Sequence, residues 1–576
     1  MADLQAALEA LLSDALTAEF GADYAATDPL IRPSAFADYQ SAIAMTLAKR
    51  LGMQPREVAE RIVGHLEAAP ICEHAEVSGP GFINIKLNDD WLAGQATTLV
   101  ADQRLGVELV DAAQTVVVDY SGPNVAKELH AGHLRVTGVG DAIVRVLEHL
   151  GHTVIRAAHL GDWGTQFGML IEHALEVGEQ TTYDQLATGE FTDFYQAANE
   201  KFRSDPAFAD RSRRRVVLLQ AGEEQSLRVW HLLVTDSMEY LRKLYARLHI
   251  TLTDDDMDPE SFYNPMLPGL CDELEASGLA VVSDGALCVF PPGFTGRDGN
   301  PLPLILRKSD GGYGYAATDV AAIRYRLLDL KADRVIYVVG SEQQQHLAMV
   351  LAVARQAGWL TDAQSAEHAV VGLMTGPGGQ RLRTRSGGQY KLAELIDEAV
   401  ERAEKVINDR YDDAELRAQI AEDVGVGALK YGDLSVARTS SYVLDFDRLL
   451  ALTGNTGPYL QYATARIRSI FQRAGLAPDE AAGPIELAEP AERALALRLL
   501  GFGTAVAETA QAAEPHKLAA FLFDTASDFT TFYEQCPVLR AGSDRLRNSR
   551  LALASLTLKV LLSGLDLLGI PVPQRM

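Results

Sequence analysis

One segment, between residues 116 and 155, constrains the fold more than any other. Residues 116–118 form a β-branched run without polar alternation, which is typical of a parallel strand buried on both faces. Apolar residues then recur at helical spacing over about residues 128–150, and Gly151 ends that helix. Residues 153–155 are a second buried strand. A strand, a helix and a strand in this order predict a βαβ unit, and therefore a Rossmann-like parallel sheet.

Length and pattern divide the rest of the chain around this unit. A chain of 576 residues is too long for one hydrophobic core, so we expect a multidomain α/β protein. The predicted domains are an N-terminal α+β domain over residues 1–112, a Rossmann-like core over 113–392 with a helical insertion at about 190–250, a helical junction over 393–455, and an all-helical bundle over 456–576. The finer pattern predicts helices over 2–19 and 35–51, hairpins over 281–290 and 304–317, and a solvated loop over 478–490.

Composition excludes several classes of protein. The formal charge of −26 disfavours a protein that coats nucleic acid through bulk positive charge, although a local basic surface remains open. We find no run of 18 apolar residues, so a membrane span is not expected, and the acidic first helix does not resemble a secretory signal. The four cysteines are far apart and form no C-x-x-C pair. They predict buried thiols in a reducing, cytoplasmic compartment, with neither a disulfide framework nor a structural zinc site.

Two histidines stand where the first strand gives way to its helix. His130 and His133 are three residues apart and are expected on one face of the first helical turn. That turn offers unpaired N–H groups and the positive end of the helix dipole, which together suit a polyphosphate. Gly132 leaves a flat backbone surface for a purine ring. Taken alone, this short motif could equally be two surface histidines beside a glycine that packs against another helix. The position of the motif after a buried strand favours the nucleotide site.

The H-x-G-H signature is typical of class I aminoacyl-tRNA synthetases and related nucleotidyltransferases, and longer strings narrow the choice. Residues 121–130 (SGPNVAKELH) and 159–168 (HLGDWGTQFG) resemble arginyl-tRNA synthetase. Further similar strings run in order along almost the whole chain: ESFYNP at 260–265, AATDVA at 316–321, DRVIY at 333–337, ALKYGDL at 428–434, GPYLQY at 457–462, and a tail from RNSR at 547–550 to RM at 575–576.

This resemblance implies an arginine–tRNA ligase. Such an enzyme activates L-arginine with ATP to arginyl-adenylate, releases pyrophosphate, and transfers arginine to the 3′-terminal ribose of its tRNA. Mg²⁺ would arrive with ATP, and no dedicated protein metal site is predicted, since the acidic run at 254–258 reads as a solvated loop. The catalytic residues implied are His130, His133, Lys127, Arg383 and Arg385, and the ATP-binding residues are Pro123, His130, Gly132 and His133.

A site for arginine needs an anion for the guanidinium group, and a carboxylate pairs with that planar fork in bidentate fashion. Tyr315 and Asp319 are four residues apart where the second predicted hairpin enters a helix, so they can face one pocket. The alternative interpretation is that Asp319 caps the N-terminus of this helix. The resemblance assigns both residues to the substrate side chain, with help from Gln343, and it implies that the rest of arginine is held by Asp119, Ser121 and Asn124, with His159 close by.

The second class I signature departs from the family pattern. Residues 376–388 form a glycine-rich basic loop suited to closing over polyphosphate, but no lysine occupies the expected position, and the nearest is Lys391. In relatives without that lysine, one just before the histidine motif is thought to replace it, and Lys127 stands there. The separate tasks of Lys127, Arg383 and Arg385 therefore stay open, and a solvated loop is the alternative for the arginines.

The resemblance also implies where tRNA binds. The N-terminal domain would contact the tRNA elbow, residues 393–455 the stem, and the C-terminal bundle the anticodon, in a protein that is monomeric by family habit. Tyrosines could stack on unpaired loop bases, and arginines could contact phosphates. The predicted tRNA-binding residues are Tyr459, Tyr462, Arg466, Arg547 and Arg550, with Arg438, Arg468, Arg540 and Arg545 as further candidates.

Two rival functions remain to be weighed. Another H-x-G-H ligase, such as a cysteine-activating one, would be expected to carry a Cys/His zinc cluster, which the sequence lacks. A catalytically inactive RNA-binding relative is the other rival. The presence of the motif residues argues against it, while the altered basic loop leaves it open.

Overall fold

The computed structural model describes residues 4–66, 69–125, 127–187, 191–297, 299–380, 382, 390–407, 412–481 and 483–576. An antiparallel sheet covered by helices forms its N-terminal part, with strand order β1-β2-β4-β3. The strands are β1 (Ile31–Pro33), β2 (Tyr39–Ser41), β3 (Cys72–Ser78) and β4 (Phe82–Leu87). The helices are α1 (Leu4–Phe20), α2 (Ile43–Leu51), α3 (Pro55–Leu66) and α4 (Asp89–Ala101).

The predicted helix over residues 35–51 is wrong in its first half. Residues 39–41 form β2, which pairs with both β1 and β4, and α2 begins only at Ile43. Tyr39 and Ser41 are buried with Gln40 between them, so the period there is that of a strand. Pairing with neighbouring strands outweighs the local helical pattern, because a segment this short has little propensity of its own.

A four-stranded parallel sheet forms the central part, in the order β11-β10-β5-β6. The strands of this region are β5 (Thr115–Tyr120), β6 (Thr153–Ala157), β7 (Ala280–Ser283), β8 (Ala286–Val289), β9 (Leu304–Arg307), β10 (Arg334–Val338), β11 (Ser365–His368) and β12 (Met374–Thr375). The helices are α5 (Ala131–His149), α6 (Thr165–Val177), α7 (Glu179–Ala187), α8 (Phe191–Ser204), α9 (Pro206–Gln220), α10 (Glu224–Arg247), α11 (Glu260–Tyr263), α12 (Leu267–Ala276), α13 (Tyr315–Leu328) and α14 (Gln344–Gln356).

The predicted Rossmann-like sheet is confirmed. The strand β5 leads through α5 to β6 on one side, whereas its other neighbour, β10, leads through α14 to β11 on the opposite side. The strand order therefore reverses between β5 and β10. Open parallel sheets bind ligands in the crevice at the carboxyl ends of the two strands that flank such a reversal.

Of the two predicted hairpins, only the first is found. The strands β7 and β8 pair around Asp284 and Gly285, whose φ angles of 50° and 78° suit a tight turn. The strand β9 then pairs with β8 to make a three-stranded sheet. Tyr313 forms a single bridge to Arg307, and α13 begins at Tyr315, so residues 313–317 are not a strand.

Helices make up most of the remaining chain. They are α15 (Leu392–Ile407), α16 (Ala414–Leu434), α17 (Phe446–Leu449), α18 (Gly457–Ala474), α19 (Pro490–Leu499), α20 (Phe502–Ala512), α21 (Pro515–Gln535) and α22 (Asp544–Leu567), with β13 (Tyr442–Val443) paired to β12. One hydrophobic core joins them to α4, α5 and one face of the parallel sheet. Across the described ranges, none of the helices has the length and apolar character needed to cross a membrane.

The segment 478–490 connects α18 to α19, as predicted, but its described residues are only partly solvated. Ile485 is 3% exposed, and its backbone N–H donates to Oγ1 of Thr97 at 2.8 Å. It thereby joins the bundle to α4 of the N-terminal part. Nearby, the guanidinium group of Arg493 in α19 pairs with both carboxylate oxygens of Asp38 at 2.7 Å and with Asp89 at 2.6 Å.

Candidate active site

A cavity of about 390 Å³ opens at the carboxyl ends of β5 and β10, where the strand order reverses. Most of the side chains that the sequence predicted for arginine meet there, although they come from four different parts of the chain. The lining residues include Asp119, Asn124, His159, Glu260, Tyr315, Asp319, Gln343 and His346.

Asp319 lies between two imidazoles in this cavity. Its Oδ2 is 2.6 Å from Nε2 of His346, and its Oδ1 is 3.4 Å from Nε2 of His159. Burial alone would raise the pKa of the Asp319 carboxyl, but the hydrogen bond from His346 and the charge of His159 outweigh it and lower that pKa. The carboxyl group is therefore held as an anion. The N-cap of α13 is Gly314, so the competing reading of Asp319 as a helix cap is wrong.

Tyr315 and Gln343 complete the same side of the cavity. Tyr315 begins α13, one turn before Asp319, and its side chain is 64% exposed. Its ring centroid lies 4.8 Å from that of His346, so the phenol stands over the mouth of the cavity beside the imidazole. Gln343 reaches the cavity from the short turn that follows β10.

Glu260 is a lining residue that the sequence analysis did not select. It is the first residue of α11, and its Oε2 accepts a hydrogen bond from the backbone N–H of Trp163 at 3.3 Å. Burial raises the pKa of its carboxyl to about 7, and the nearby charge of Asp319 adds to that effect. A carboxyl group at the start of ESFYNP was a usable signal, because a guanidinium site gains from a second acid.

The three residues expected to hold the rest of arginine have different surroundings. Asp119 lines the cavity, but one of its oxygens already pairs with the buried Arg326 at 2.7 Å. Asn124 lines the cavity beside Gly161, where a Cβ would lie 2.2 Å from the Asn124 side-chain oxygen. Ser121 is fully buried and is not a lining residue.

The orientation of Ser121 follows from its backbone. Its φ of 56° places it in the left-handed region at the end of β5, which turns the side chain into the interior. There its Oγ lies 2.8 Å from Oη of Tyr245 and accepts a hydrogen bond from Oγ1 of Thr137 at 2.7 Å. Its hydroxyl group is thus used to anchor the turn, and the predicted contact of this side chain with arginine is not supported.

The histidine motif forms the first turn of α5. His130 is the N-cap, and its Nδ1 accepts from the backbone N–H of Gly132 at 3.1 Å. The Nδ1 of His133 accepts from the backbone N–H of His130 at 3.1 Å, and the two ring centroids are 3.9 Å apart. Because Nδ1 is an acceptor in both rings, the proton of each neutral imidazole is on Nε2.

The charge state of this pair follows from its burial. Desolvation lowers the pKa of His130, and it lowers that of His133 to about 3, with the neighbouring His130 adding to the effect. Both rings are therefore neutral near pH 7 and can donate through Nε2–H. A Cβ at Gly132 would lie 3.0 Å from the His130 ring, so a larger residue there would press on this imidazole.

The other residues predicted for ATP are only partly described. Lys127 is exposed beside the motif, and Pro123 is buried, with its carbonyl accepting from the N–H of Gly161 at 3.1 Å. Lys391 pairs with Glu128 at 2.7 Å and so supports the loop before α5. Arg383 and Arg385 lie outside the described residues.

The predicted tRNA contacts on the bundle separate into two groups. Tyr459, Tyr462 and Arg466 lie along α18, and the Arg466 guanidinium stacks over Tyr462 at 5.0 Å. Arg547 is half-buried in α22. Arg550 is 6% exposed, and its Nε donates to Glu492 at 2.6 Å, so its predicted contact with tRNA is not supported.

Three further candidates have structural partners. Arg438 donates to the carbonyls of Ala513 and Val370, and Arg468 donates to the carbonyl of Pro573. Arg545 donates to the carboxylate of Glu486 at 2.9 Å. All three therefore join segments of the protein. In the described part of the chain, no three His, Cys, Asp or Glu side chains are grouped so that they could hold a metal ion.

Comparison with known proteins agrees with this geometry. Residues 95–446 match the family model "tRNA synthetases class I (R), catalytic domain", residues 460–576 match "DALR anticodon binding domain", and residues 3–87 match "Arginyl tRNA synthetase N terminal domain". The chain is 57% identical to an arginine–tRNA ligase of Thermobifida fusca over 100% of both chains, and 48% identical to that of Edwardsiella ictaluri over 96% of both.

Solved structures give the same result at lower identity. The arginyl-tRNA synthetase of Plasmodium falciparum superposes with a TM-score of 0.83 at 29% identity, and that of Thermus thermophilus with a TM-score of 0.81 at 26% identity. Both comparisons cover 100% of each chain. Since the matched family models, the full-length relatives and the solved structures agree, the chain belongs to the arginyl-tRNA synthetase family of class I aminoacyl-tRNA synthetases.

Proposed function

We propose that the chain is an arginine–tRNA ligase that uses ATP and that its reaction takes place in the cavity at the ends of β5 and β10. The observation that carries this proposal is the pair of acids in that cavity, Asp319 and Glu260, beside the imidazole pair at the start of α5. The acids suit a guanidinium group, and the helix terminus suits a polyphosphate.

The arginine side chain binds at the acidic end. Asp319 is held ionised by His346 and His159, so it can pair with the guanidinium group at once. Glu260 supplies a second carboxylate when the cation arrives, and Tyr315 and Gln343 fill the remaining sides. Asn124 lies towards the β5 loop and is suited to the α-amino and carboxylate end of the substrate.

The phosphates of ATP bind at the other end. His130 and His133 are neutral and donate through Nε2–H, while the first turn of α5 contributes its free N–H groups and dipole. Lys127, Arg383 and Arg385 add positive charge. Mg²⁺ would arrive with the nucleotide and would add positive charge at the phosphate oxygens.

Neither chemical step needs a covalent enzyme nucleophile. A carboxylate oxygen of arginine attacks the α-phosphorus of ATP, the bond to the β-phosphate breaks, and pyrophosphate leaves. A hydroxyl group of the terminal tRNA ribose then attacks the arginyl carbonyl carbon, and AMP leaves. The protein contributes by holding the reactants in line and by stabilising the charge that develops on phosphate.

The remaining predictions complete this function. Residues 1–112 contact the tRNA elbow, residues 393–455 the stem, and residues 456–576 the anticodon. There Tyr462 and Arg466 offer a stacking surface, and Tyr459, which packs on Phe523 and hydrogen-bonds Thr530 through its hydroxyl group, lies on the same helix. The enzyme acts as a cytoplasmic monomer. The described cysteines are buried and free, which is compatible with a reducing compartment.

Arginine-dependent exchange between ATP and pyrophosphate, with and without tRNA, tests the proposal. We expect exchange with arginine, and charging of tRNA for arginine. Exchange with cysteine in place of arginine would identify the rival ligase. A folded protein that binds tRNA but shows no exchange under either condition would instead be the inactive relative, and the proposal would fail.

A further inference from the structure

A second cavity of about 520 Å³ lies on the opposite side of the loop that follows β5, against helix α10. Asn124 lines both this cavity and the arginine cavity, so the two are neighbours. Its lining, over the described residues, includes neither His130 nor His133. Of the described residues proposed for the ATP phosphates, Lys127 alone is in this lining, so the histidine pair and its helix terminus lie outside the cavity. The space along α10 can therefore hold another ligand.

The chemistry of the lining is that of a nucleotide site. Tyr183 and Tyr240 present aromatic rings, and Tyr183 is 55% exposed. Three of the charged lining residues are already paired, because Lys243 pairs with Glu239 at 2.7 Å and Glu128 pairs with Lys391 at 2.7 Å. Among the described residues, Lys127 and Asp236 form no ion pair within 4.0 Å. Asp236 is thus available to a ligand, and Lys127 becomes available once pyrophosphate has left.

The location of the cavity limits which nucleotide could bind in it. In the proposed reaction, the terminal ribose of tRNA must reach the arginyl carboxyl group, which lies near Asn124. The 3′ end of a tRNA is single-stranded, so its bases are free to stack on aromatic side chains and to form hydrogen bonds through their edges. When the terminal adenosine is at the carboxyl group, the nucleotide before it must occupy an adjacent space.

We propose that the cavity between the β5 loop and α10 binds the cytidine that precedes the terminal adenosine of the tRNA. Asp236 accepts a hydrogen bond from the N4 amino group of the cytosine, Tyr240 stacks on the base, and Lys127 lies near the backbone phosphate. A carboxylate distinguishes cytosine from uracil, because cytosine carries a donor where uracil carries the O4 acceptor. This inference rests on the proposed function and assigns a subsite to it.

A base change in the tRNA combined with a side-chain change in the protein tests the contact. We would measure kcat/KM for charging of transcripts ending in CCA and in CUA by the full-length enzyme. The wild type should charge the CUA transcript about tenfold or more less efficiently. Asp236→Asn offers an amide donor to O4 of uracil, so it should lose efficiency on CCA and should reduce or reverse the preference.

Matched variants separate this contact from a general defect. Glu224→Gln, at an exposed position on the same helix that does not line the cavity, should keep the wild-type preference for CCA. Tyr240→Leu should weaken binding of CCA-ended tRNA by about 5- to 150-fold, which filter binding measures without catalysis. Arginine binding measured by calorimetry should be unchanged in Asp236→Asn.

The outcomes are distinct. If Asp236→Asn lowers efficiency on both transcripts by the same factor, or changes neither, the assignment of Asp236 to the cytosine is overturned. If the wild type charges CCA-ended tRNA with arginine, the proposed function stands whatever the result of the swap. If the wild type does not charge that tRNA, the proposed function fails first.

Discussion

The Nε2 atom of His346 lies 2.6 Å from Oδ2 of Asp319, so the acid proposed to recognise arginine is held ionised and oriented before the substrate arrives. His159 approaches the other oxygen at 3.4 Å. An acid fixed in this way can pair with a guanidinium group without moving, and such preorganisation reduces the cost of binding.

Asp319→Asn should raise the KM for arginine about 30-fold or more and leave the KM for ATP nearly unchanged. The amide keeps the shape of the side chain but cannot neutralise the guanidinium charge. ATP–pyrophosphate exchange with arginine or ATP as the varied substrate gives both constants. Asp255→Asn, in the exposed acidic turn, is the matched control and should change neither. Unchanged arginine kinetics in Asp319→Asn would remove this residue from the site.

Arginine binding should release protons because of Glu260. Burial raises the pKa of this carboxyl to about 7, so at pH 6 the group is mostly neutral in the empty cavity. A bound guanidinium cation favours the ionised form and lowers that pKa, so binding expels the proton. The Kd for arginine should therefore fall as the pH rises from 6 to 8.

Calorimetry in buffers of different ionisation enthalpy measures this release directly. We expect about half a proton per arginine at pH 7, the fraction of a group of that pKa which is protonated there. Glu260→Gln should bind arginine more weakly at pH 8 and should remove the share of the release that comes from this carboxyl. Only the contribution of His159 should be left, because burial is outweighed there by Asp319 and Asp119, which raise the pKa of that imidazole. A wild-type Kd that is constant across the range would contradict the assignment of Glu260 to the guanidinium group.

His133 should act as a neutral hydrogen-bond donor. Burial and His130 lower its pKa to about 3, so its charge does not change between pH 6 and 8. His133→Ala should lower kcat by about 100- to 1,000-fold, the range for loss of one preorganised donor, and the ratio to the wild type should be constant over that pH range. His231→Ala, at an exposed site on α10, serves as the comparison and should leave kcat unchanged. A ratio that varies with a pKa near 6.5 would show that the imidazolium form is used.

Arg550 should be needed for stability. Its guanidinium group neutralises Glu492, which is fully buried and also accepts from the backbone N–H groups of Ala488 and Glu489. Arg550→Met leaves that carboxylate buried without its cation, and losses of this kind amount to about 3–5 kcal/mol. We expect a lower midpoint of thermal unfolding.

The matched change is Arg547→Met, one turn earlier on α22, where the side chain is only half-buried. It should leave the midpoint unchanged and weaken tRNA binding with a smaller dependence on salt. If Arg550→Met unfolds at the wild-type temperature and binds tRNA poorly, Arg550 would be a tRNA contact after all.

The central sheet could be predicted because its signals are local and strong. Residues 116–118 lie in a strand that is buried almost throughout, and the helix that follows keeps its apolar spacing over about five turns. Residues 153–155 do form a strand, but the prediction that it is buried is wrong, because β6 is at the edge of the sheet and only partly covered. The secondary structure of residues 39–41 and 313–317 was predicted wrongly, because in segments this short it depends on the neighbouring elements in the fold. The pairing of β2 with β4 joins residues more than 40 positions apart, which no local pattern contains.

The candidate site was predictable only in part for a similar reason. The resemblance assigned Asp119, His159 and Asp319 to one substrate, and the structure places all three in one cavity. The hydroxyl group of Ser121 is bound to Tyr245, 124 residues away in the sequence, and Arg550 is bound to Glu492, 58 residues away. Partners at such distances determine whether a polar side chain faces a ligand or the interior, and the sequence alone does not pair them.

The contact between Arg493 and Asp38 has a consequence for how the protein is made. The two residues are separated by 455 positions, so the first domain leaves the ribosome long before its docking partner exists. At typical rates of synthesis the delay is about 20 to 90 seconds. During that time the surface around Asp38 is open to solvent and to chaperones. The N-terminal domain can dock on α19 only when nearly the whole polypeptide has been translated.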